Sequence, residues 1–157
     1  MKRKAIIVDV DNTLIDIRHL EALYIPNNPQ ESDYIQLEKV YNQGIVIKQT
    51  IDIVNKFIKD DYTILIVTAR RDKPQIRRDL KLFIQNNFKN AKSDQIKLFL
   101  APICEEPDYV IKEKIFNKYI KDNYDVYLAL DDRDTILSLW GNYGVMGFKV
   151  CLISGDM

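Results

Sequence analysis

Short unbroken apolar runs alternate along this chain with longer stretches in which apolar residues return every three or four positions. The runs Ala5 to Val10, Tyr62 to Val67 (ending at Thr68), Ile96 to Leu100, Val126 to Leu130 and Phe148 to Ile153 have the length and continuity of buried strands. Between them the period lengthens. Ile47, Ile51, Val54 and Ile58 share one helical face, and Pro74 opens a helix to about Phe88 with Ile76, Leu80 and Phe83 or Ile84 inward. Asp108 is expected to cap a helix on which Ile111, Ile115 and Tyr119 align, and Asp134 to Trp140 forms a short helix before Gly141.

Continuous strands separated by helices predict an α/β fold: a parallel sheet with helices on both faces, in a single domain over 1–157. In such sheets ligands bind beyond the carboxyl ends of the strands, and Asp9, Thr68 and Asp131 all stand at such ends. The stretch from Ile15 to about Gly44 breaks the alternation. It carries Pro26, Asn27, Asn28 and Pro29, and predicts a small cap-like insert over the strand ends with a helix near Ser32 to Tyr41.

Composition narrows the classes. A hydrophobic fraction of 46% and a charged fraction of 29% are those of a soluble globular protein. Lys plus Arg equals Asp plus Glu at 23 each, so any attraction to nucleic acid has to come from a local patch. Cys104 and Cys151 form no C-x-x-C pair and are too few for a disulfide framework, which fits a reducing compartment. The basic start is followed by an apolar run interrupted by Asp9 and Asp11, too short for a signal peptide. No stretch approaches the roughly 20 apolar residues of a bilayer span. These readings predict a cytoplasmic protein with no membrane partner.

The carboxylates carry the chemistry. Asp9 and Asp11 close the first strand, and Asp131 and Asp132 close the fourth. One such pair is ordinary, since Asp often ends strands and starts turns. Two pairs at one rim repel, by about 4 kcal/mol for charges about 4 Å apart at an effective dielectric of about 20. A divalent cation relieves that cost, and hard oxygen ligands favour magnesium. His19 and the two cysteines offer no competing zinc site. Phosphoryl transfer asks for the same groups. A carboxylate that attacks phosphorus splits one hard step into two, and a second acid protonates the leaving oxygen and then activates water. An Asp two residues beyond the nucleophile is well placed for that second role.

At this point the residues resemble the four motifs of the haloacid dehalogenase (HAD) superfamily. Asp9-Val10-Asp11-Asn12-Thr13-Leu14 is similar to the first, with Asp9 as nucleophile and Asp11 as general acid and base. Ile66 to Arg70 resembles the second, in which Thr68 holds the transferring group; Lys112 resembles the third and Leu130-Asp131-Asp132 the fourth. The superfamily commonly has Gly where this chain has Asn12, a mild departure because Asn tolerates the left-handed conformation. A closer resemblance is to the phosphatase domain of bacteriophage-type polynucleotide kinase/3′-phosphatases. It is carried by Asp108-Tyr109-Val110-Ile111-Lys112-Glu113-Lys114-Ile115-Phe116, by Leu128 to Arg133, by Trp140 and by the ending Ser154-Gly155-Asp156-Met157.

The resemblance implies a three-layer Rossmann-like HAD fold, a Mg2+ cofactor held by Asp9, the Asp11 backbone, Asp131 and Asp132, and an aspartyl-phosphate intermediate. It implies that Arg70 contacts the substrate phosphate and that Asp108 orients the site through Lys112. Arg18 is the one arginine shortly after the first motif, at a spacing that differs from the family's. The substrates implied are 3′-phosphorylated DNA or RNA ends or nucleotides. No G-x-x-x-x-G-K-[ST] occurs among the five glycines, so a kinase or ligase would have to be a separate partner.

Two other readings stand beside this one: a phosphatase of nucleoside monophosphates or other small metabolites, and a non-catalytic module that binds nucleic-acid ends. Duller roles compete as well. Asp108 and Lys112, four apart, suit a surface ion pair. The cluster Arg70, Arg71, Lys73, Arg77, Arg78 and Lys81, interrupted by Asp72 and Asp79, is either a landing surface for a phosphodiester backbone or a solvated helix face. Tyr24, Tyr34 and Tyr41 either stack on a base or pack the insert against the body.

Overall fold

The structure is a computed structural model, and it describes residues 1–152. Five parallel strands form one sheet in the order β5-β4-β1-β6-β7, with β1 at Arg3–Val8, β4 at Thr63–Arg71, β5 at Ile96–Ala101, β6 at Tyr124–Asp131 and β7 at Met146–Lys149. Successive side chains of the central strand point to opposite faces, which divides the core in two. Ile6 and Val8 pack with α3 (Lys48–Lys59) and α4 (Pro74–Asn87) through Ile51, Val54, Ile58, Ile76 and Leu80. Ala5 and Ile7 pack on the other face with α5 (Asp108–Ile115) and α6 (Asp134–Asn142) through Ile111, Ile115, Ile136 and Trp140. Each fully buried aliphatic side chain of this kind contributes about 1.5–3 kcal/mol. The expected three-layer α/β architecture is the one observed, with β1 in the middle because it is covered on both faces and both edges.

The insert is better ordered than its sequence predicted. Its roots are two short strands, β2 (Ile15–Asp16) and β3 (Ile45–Val46), paired antiparallel. Gly44 is required there, since a Cβ on it would collide with the Ile15 side chain. Between the roots lie α1 (Arg18–Tyr24), α2 (Glu31–Glu38) and a 3-10 turn at Tyr41–Gln43. The helix expected at Ser32 to Tyr41 thus ends earlier. Helix α1 gave no sequence signal, because its seven residues bury only Leu20. Ion pairs clamp the insert to the body: Arg71 meets Glu31 and Glu38, and Lys73 meets Glu38.

Two other expectations shift. Tyr119 was aligned with Ile111 and Ile115 by a 3.6-residue period, yet it is exposed. Residues Phe116–Ile120 form a π turn, closed by the Lys121 amide on the Phe116 carbonyl at 2.9 Å, and the extra residue per turn carries Ile120 inward instead. The last strand begins at Met146 rather than Phe148 and ends at Lys149. Ile153 and the Ser154 to Met157 ending lie outside the described residues. Among those described, no helix is long and apolar enough to cross a membrane.

Candidate active site

The carboxyl ends of β1, β4 and β6 bring distant residues to one rim. β1 ends at Val8, and the Asp9 amide donates to the Leu130 carbonyl at 3.0 Å, which anchors the loop to β6. The chain then turns tightly. The amides of Leu14 and Ile15 both donate to the Val10 carbonyl, at 2.8 and 3.0 Å. Asn12 adopts φ 61°, the left-handed region that Asn tolerates. Its Oδ1 accepts from the Ile17 amide at 3.0 Å, so the residue that replaces the superfamily's usual Gly also pins the start of α1.

Lys112 is the hub. Its Nζ donates to Asp9 Oδ1 and to Asp131 Oδ2, each at 2.8 Å, and the side chain is 1% exposed. Burial alone would draw off its proton, but Asp9 and Asp131 outweigh burial and hold its pKa above the ordinary lysine value. Thr13 Oγ1 donates to Asp9 Oδ2 at 3.2 Å, and the Arg133 amide donates to Asp131 Oδ1 at 3.1 Å. Asp9 is therefore held at both oxygens, and so is Asp131.

Asp9, Asp131 and Asp132 each offer a carboxylate oxygen within 4.8 Å of the others. One lysine does not balance three acids. Burial, then Asp9, then Asp131 push the Asp132 carboxyl up to about 7. Burial and Asp9 raise Asp131 as well, against the pull of Lys112. The donors are all hard oxygens in a site short of positive charge, which suits an oxygen-seeking divalent cation. The Asp11 carboxylate stands apart from this trio.

Asp11 is taken up by Arg70. The Arg70 Nε donates to both Asp11 oxygens at 3.0 and 3.1 Å, and Nη2 donates to Oδ1 at 2.6 Å. The Arg70 side chain is 3% exposed. Tyr41 of the insert lies 3.9 Å below its guanidinium. Thr68 is buried, and its Oγ1 accepts from the Arg70 amide at 3.1 Å. The β4–β5 register slips between Val67 and Arg71, so the segment holding Thr68 and Arg70 is released from strict pairing at the rim.

One expected contact is corrected. Asp108 does not reach the site through Lys112. It occupies the first turn of α5 and pairs with Arg133 at 2.5 Å, while Lys112, one turn on, points inward to the acids. Arg18 binds Asp16 (2.7 Å) and the Leu152 carbonyl (2.8 Å), and its guanidinium is committed to those groups. The sequence named Tyr41 as a stacking or packing residue, but its contact with Arg70 left no signal because the two stand 29 positions apart, and Arg133, directly after the acidic pair, was missed as a neighbour of the site. Of the three insert tyrosines, Tyr24 and Tyr41 pack against the core and Tyr34 lines the cavity.

Over this floor opens a cavity of about 1010 Å³. Asp9, Asp11, Arg70, Asp132 and Arg133 form its base, Glu21, Tyr34 and Tyr41 line its insert side, and residues 104–108 line the far wall. Lys112 and Asp131 lie beneath the base, each 1% exposed.

The fold matches known proteins. Two structures of the Pnkp1/Rnl/Hen1 complex, one described as an RNA repair complex, align with a TM-score of 0.69 at 21% and 20% identity. They cover 95% and 99% of this chain, which spans 46% and 44% of theirs. A class C acid phosphatase from Bacillus anthracis with tungstate bound aligns at a TM-score of 0.55 and 12% identity, over 96% of this chain and 69% of its own. At these identities the likeness is one of fold. A protein of Autographa californica nuclear polyhedrosis virus, named for polynucleotide kinase and RNA ligase activities, is 37% identical over 57 residues. That stretch is 35% of this chain and 8% of the viral protein. The model of the polynucleotide kinase PNKP phosphatase domain matches residues 3–153. Since that match runs through all three strand ends, α5 and the insert, the chain belongs to the PNKP phosphatase-domain family and is a phosphatase domain of the HAD type.

Proposed function

We propose that this domain is a magnesium-dependent phosphatase that removes 3′-terminal phosphates from polynucleotides through an aspartyl-phosphate on Asp9. The observation that carries the reading is the Lys112 ammonium held between Asp9 and Asp131, with Asp132 beside them and Asp11 facing Arg70. This is the charge pattern needed to hold a nucleophilic carboxylate against an anionic ester.

Magnesium would be held by Asp9, Asp132 and the Asp11 backbone carbonyl, with Asp131 in support, and when bound it offsets the repulsion between the acids and the phosphate. The remaining work falls to the chain. Asp9 attacks phosphorus in line; its oxygen–phosphorus bond forms as the bond to the 3′-oxygen breaks. Asp11 gives that oxygen a proton. Asp11, now a carboxylate, takes a proton from the water that attacks the aspartyl-phosphate, so inorganic phosphate leaves and Asp9 is restored. Thr68, Arg70 and Lys112 stabilise charge on the non-bridging oxygens.

Arg70 has a second consequence. In the structure its guanidinium engages both Asp11 oxygens. An arriving phosphate competes for the same guanidinium, and as Arg70 turns toward it Asp11 is released to carry a proton. Substrate binding and arming of the acid are one event on this reading. The relatives named for kinase and ligase activities support a working association with separate end-modifying enzymes.

A panel tests the function: matched DNA and RNA oligonucleotides bearing a 3′- or a 5′-phosphate, together with nucleoside monophosphates and sugar phosphates. Release confined to 3′-phosphates is expected. Preference for 5′-phosphates or sugar phosphates would overturn the substrate.

A further inference from the structure

A second concavity, of about 450 Å³, runs between α4 and the edge strand β5. Its lining carries Arg77, Lys81, Lys89, Lys92 and Lys97 and, among the described residues, no acid. In a chain whose charges sum to zero, a lining of one sign is a local positive field. The arrangement follows from helix geometry. Arg77, Lys81 and Gln85 recur every four residues, so they form one ridge along α4 that rises about 12 Å at 1.5 Å per residue, and Lys89 follows just past the helix end at Asn87. Ile84, Phe88, Ile96 and Leu98 form the floor, and Lys97 borders it from β5 with its side chain on the other face of the strand from Ile96 and Leu98.

Two of the five are partly engaged, Arg77 with Asp72 at 2.7 Å and Lys92 with Asp61 at 2.8 Å. Lys81, Lys89 and Lys97 carry no ion pair among the described residues. The groove also has a direction. α4 begins three residues after β4 ends at Arg71, which lines the catalytic cavity. The Arg77 end therefore lies toward the catalytic rim, and the Lys92 end toward the opposite edge of the sheet.

We propose that this groove holds the sugar–phosphate backbone of the polynucleotide upstream of the 3′-end. This rests on the 3′-phosphatase reading for its biological sense, since the terminal phosphate in the cavity is covalently continuous with a polyanion that has to leave across the rim. The insert side of the cavity offers that strand Glu21, Glu31 and Glu38 and the wall after β5 offers Glu105 and Glu106, whereas the lining of the α4–β5 groove is cationic, with Asp72 and Asp61 paired to two of its members. Contact is to phosphates, so the surface accepts DNA and RNA and reads no sequence.

Fluorescence anisotropy in EDTA, with a labelled single strand of about twelve nucleotides ending in a 3′-hydroxyl, isolates this surface from the chemistry. Lys81→Gln and Lys89→Gln should each weaken binding on the order of fivefold, and each should lower the slope of log affinity against log salt by about one. Lys118→Gln, an exposed lysine on the π turn, should change neither. Both groove variants should still release phosphate from a 3′-mononucleotide at the wild-type rate. Unchanged affinity and slope in the Lys81→Gln/Lys89→Gln double variant would overturn the groove, as would an equal loss in Lys118→Gln. Binding of an acidic polypeptide but not of the oligonucleotide would overturn it too. Failure of wild-type protein to release phosphate from any 3′-phosphate sinks the catalytic reading instead, and the binding result still decides the groove.

Discussion

Arg70 grips Asp11 through a fork, with Nε 3.0 and 3.1 Å from the two carboxylate oxygens and Nη2 2.6 Å from one of them, while Tyr41 lies against the face of its guanidinium. The fork couples an insert residue, a β4 residue and the second Asp of the β1 loop. Arg70→Lys keeps the charge and loses the two-pronged geometry. It is expected to lower kcat/KM by about 100-fold, with magnesium affinity unchanged by calorimetry. A variant as active as wild type would remove Arg70 from the phosphate site.

Lys112 lies between Asp9 and Asp131 and donates to both. Lys112→Met leaves Asp9 and Asp131 without their cation and should cost about 3–5 kcal/mol of stability in chelator. The deficit should shrink on adding magnesium, because the ion replaces the lost charge. Urea unfolding with and without the metal measures both. A loss equal in the two conditions would mean that the lysine and the ion do not share the same acids.

Much of this architecture was legible in the sequence, and the boundary is physical. Strands buried on both faces leave unbroken apolar runs, so β1, β4 and the end of β6 were visible and located Asp9, Thr68 and Asp131, whereas β7 is exposed along its length and its bounds were misplaced. Lys112 came from a motif alone, since a lysine one turn after Asp108 looks like a surface pair. What escaped depends on contacts between distant residues. Tyr41 on Arg70, and Arg71 on Glu31 and Glu38, leave no local pattern. The π turn escaped because one extra residue per turn breaks the period used to read the helix.

The clamp on the insert gives a separate test. Glu38 accepts from both Arg71 and Lys73, and it is nearly buried beside them. Glu38→Ala should destabilise by about 1–3 kcal/mol, the cost of leaving a buried charged partner unmatched. The effect should be local. Hydrogen exchange is expected to rise in α2 while β1 and β4 stay protected. Uniform loss of protection across the sheet would show that the insert is not an independently opening unit.

Asp132 sets a pH dependence. Its carboxyl is pushed up to about 7 in the metal-free fold, well above its value in an unfolded chain. Folding therefore favours its protonated form. That contribution to stability is full below the unfolded pKa of about 3.9 and is lost as pH rises through about 7. Metal binding runs the other way, since the ion needs the carboxylate. Magnesium should bind more tightly at about pH 8 than at about pH 5.5, with proton uptake when it is removed near neutrality. Equal affinity at the two values would take Asp132 out of the ligand set.

The central claim is that Asp9 carries the phosphoryl group. Wild-type protein mixed with magnesium and an oligonucleotide labelled in its 3′-phosphate, then quenched in acid, should yield transient protein-bound label on Asp9. Asp11→Asn should accumulate that label by slowing its hydrolysis, and Asp9→Asn should form none and release no phosphate. Phosphate release by Asp9→Asn at the wild-type rate would contradict the account.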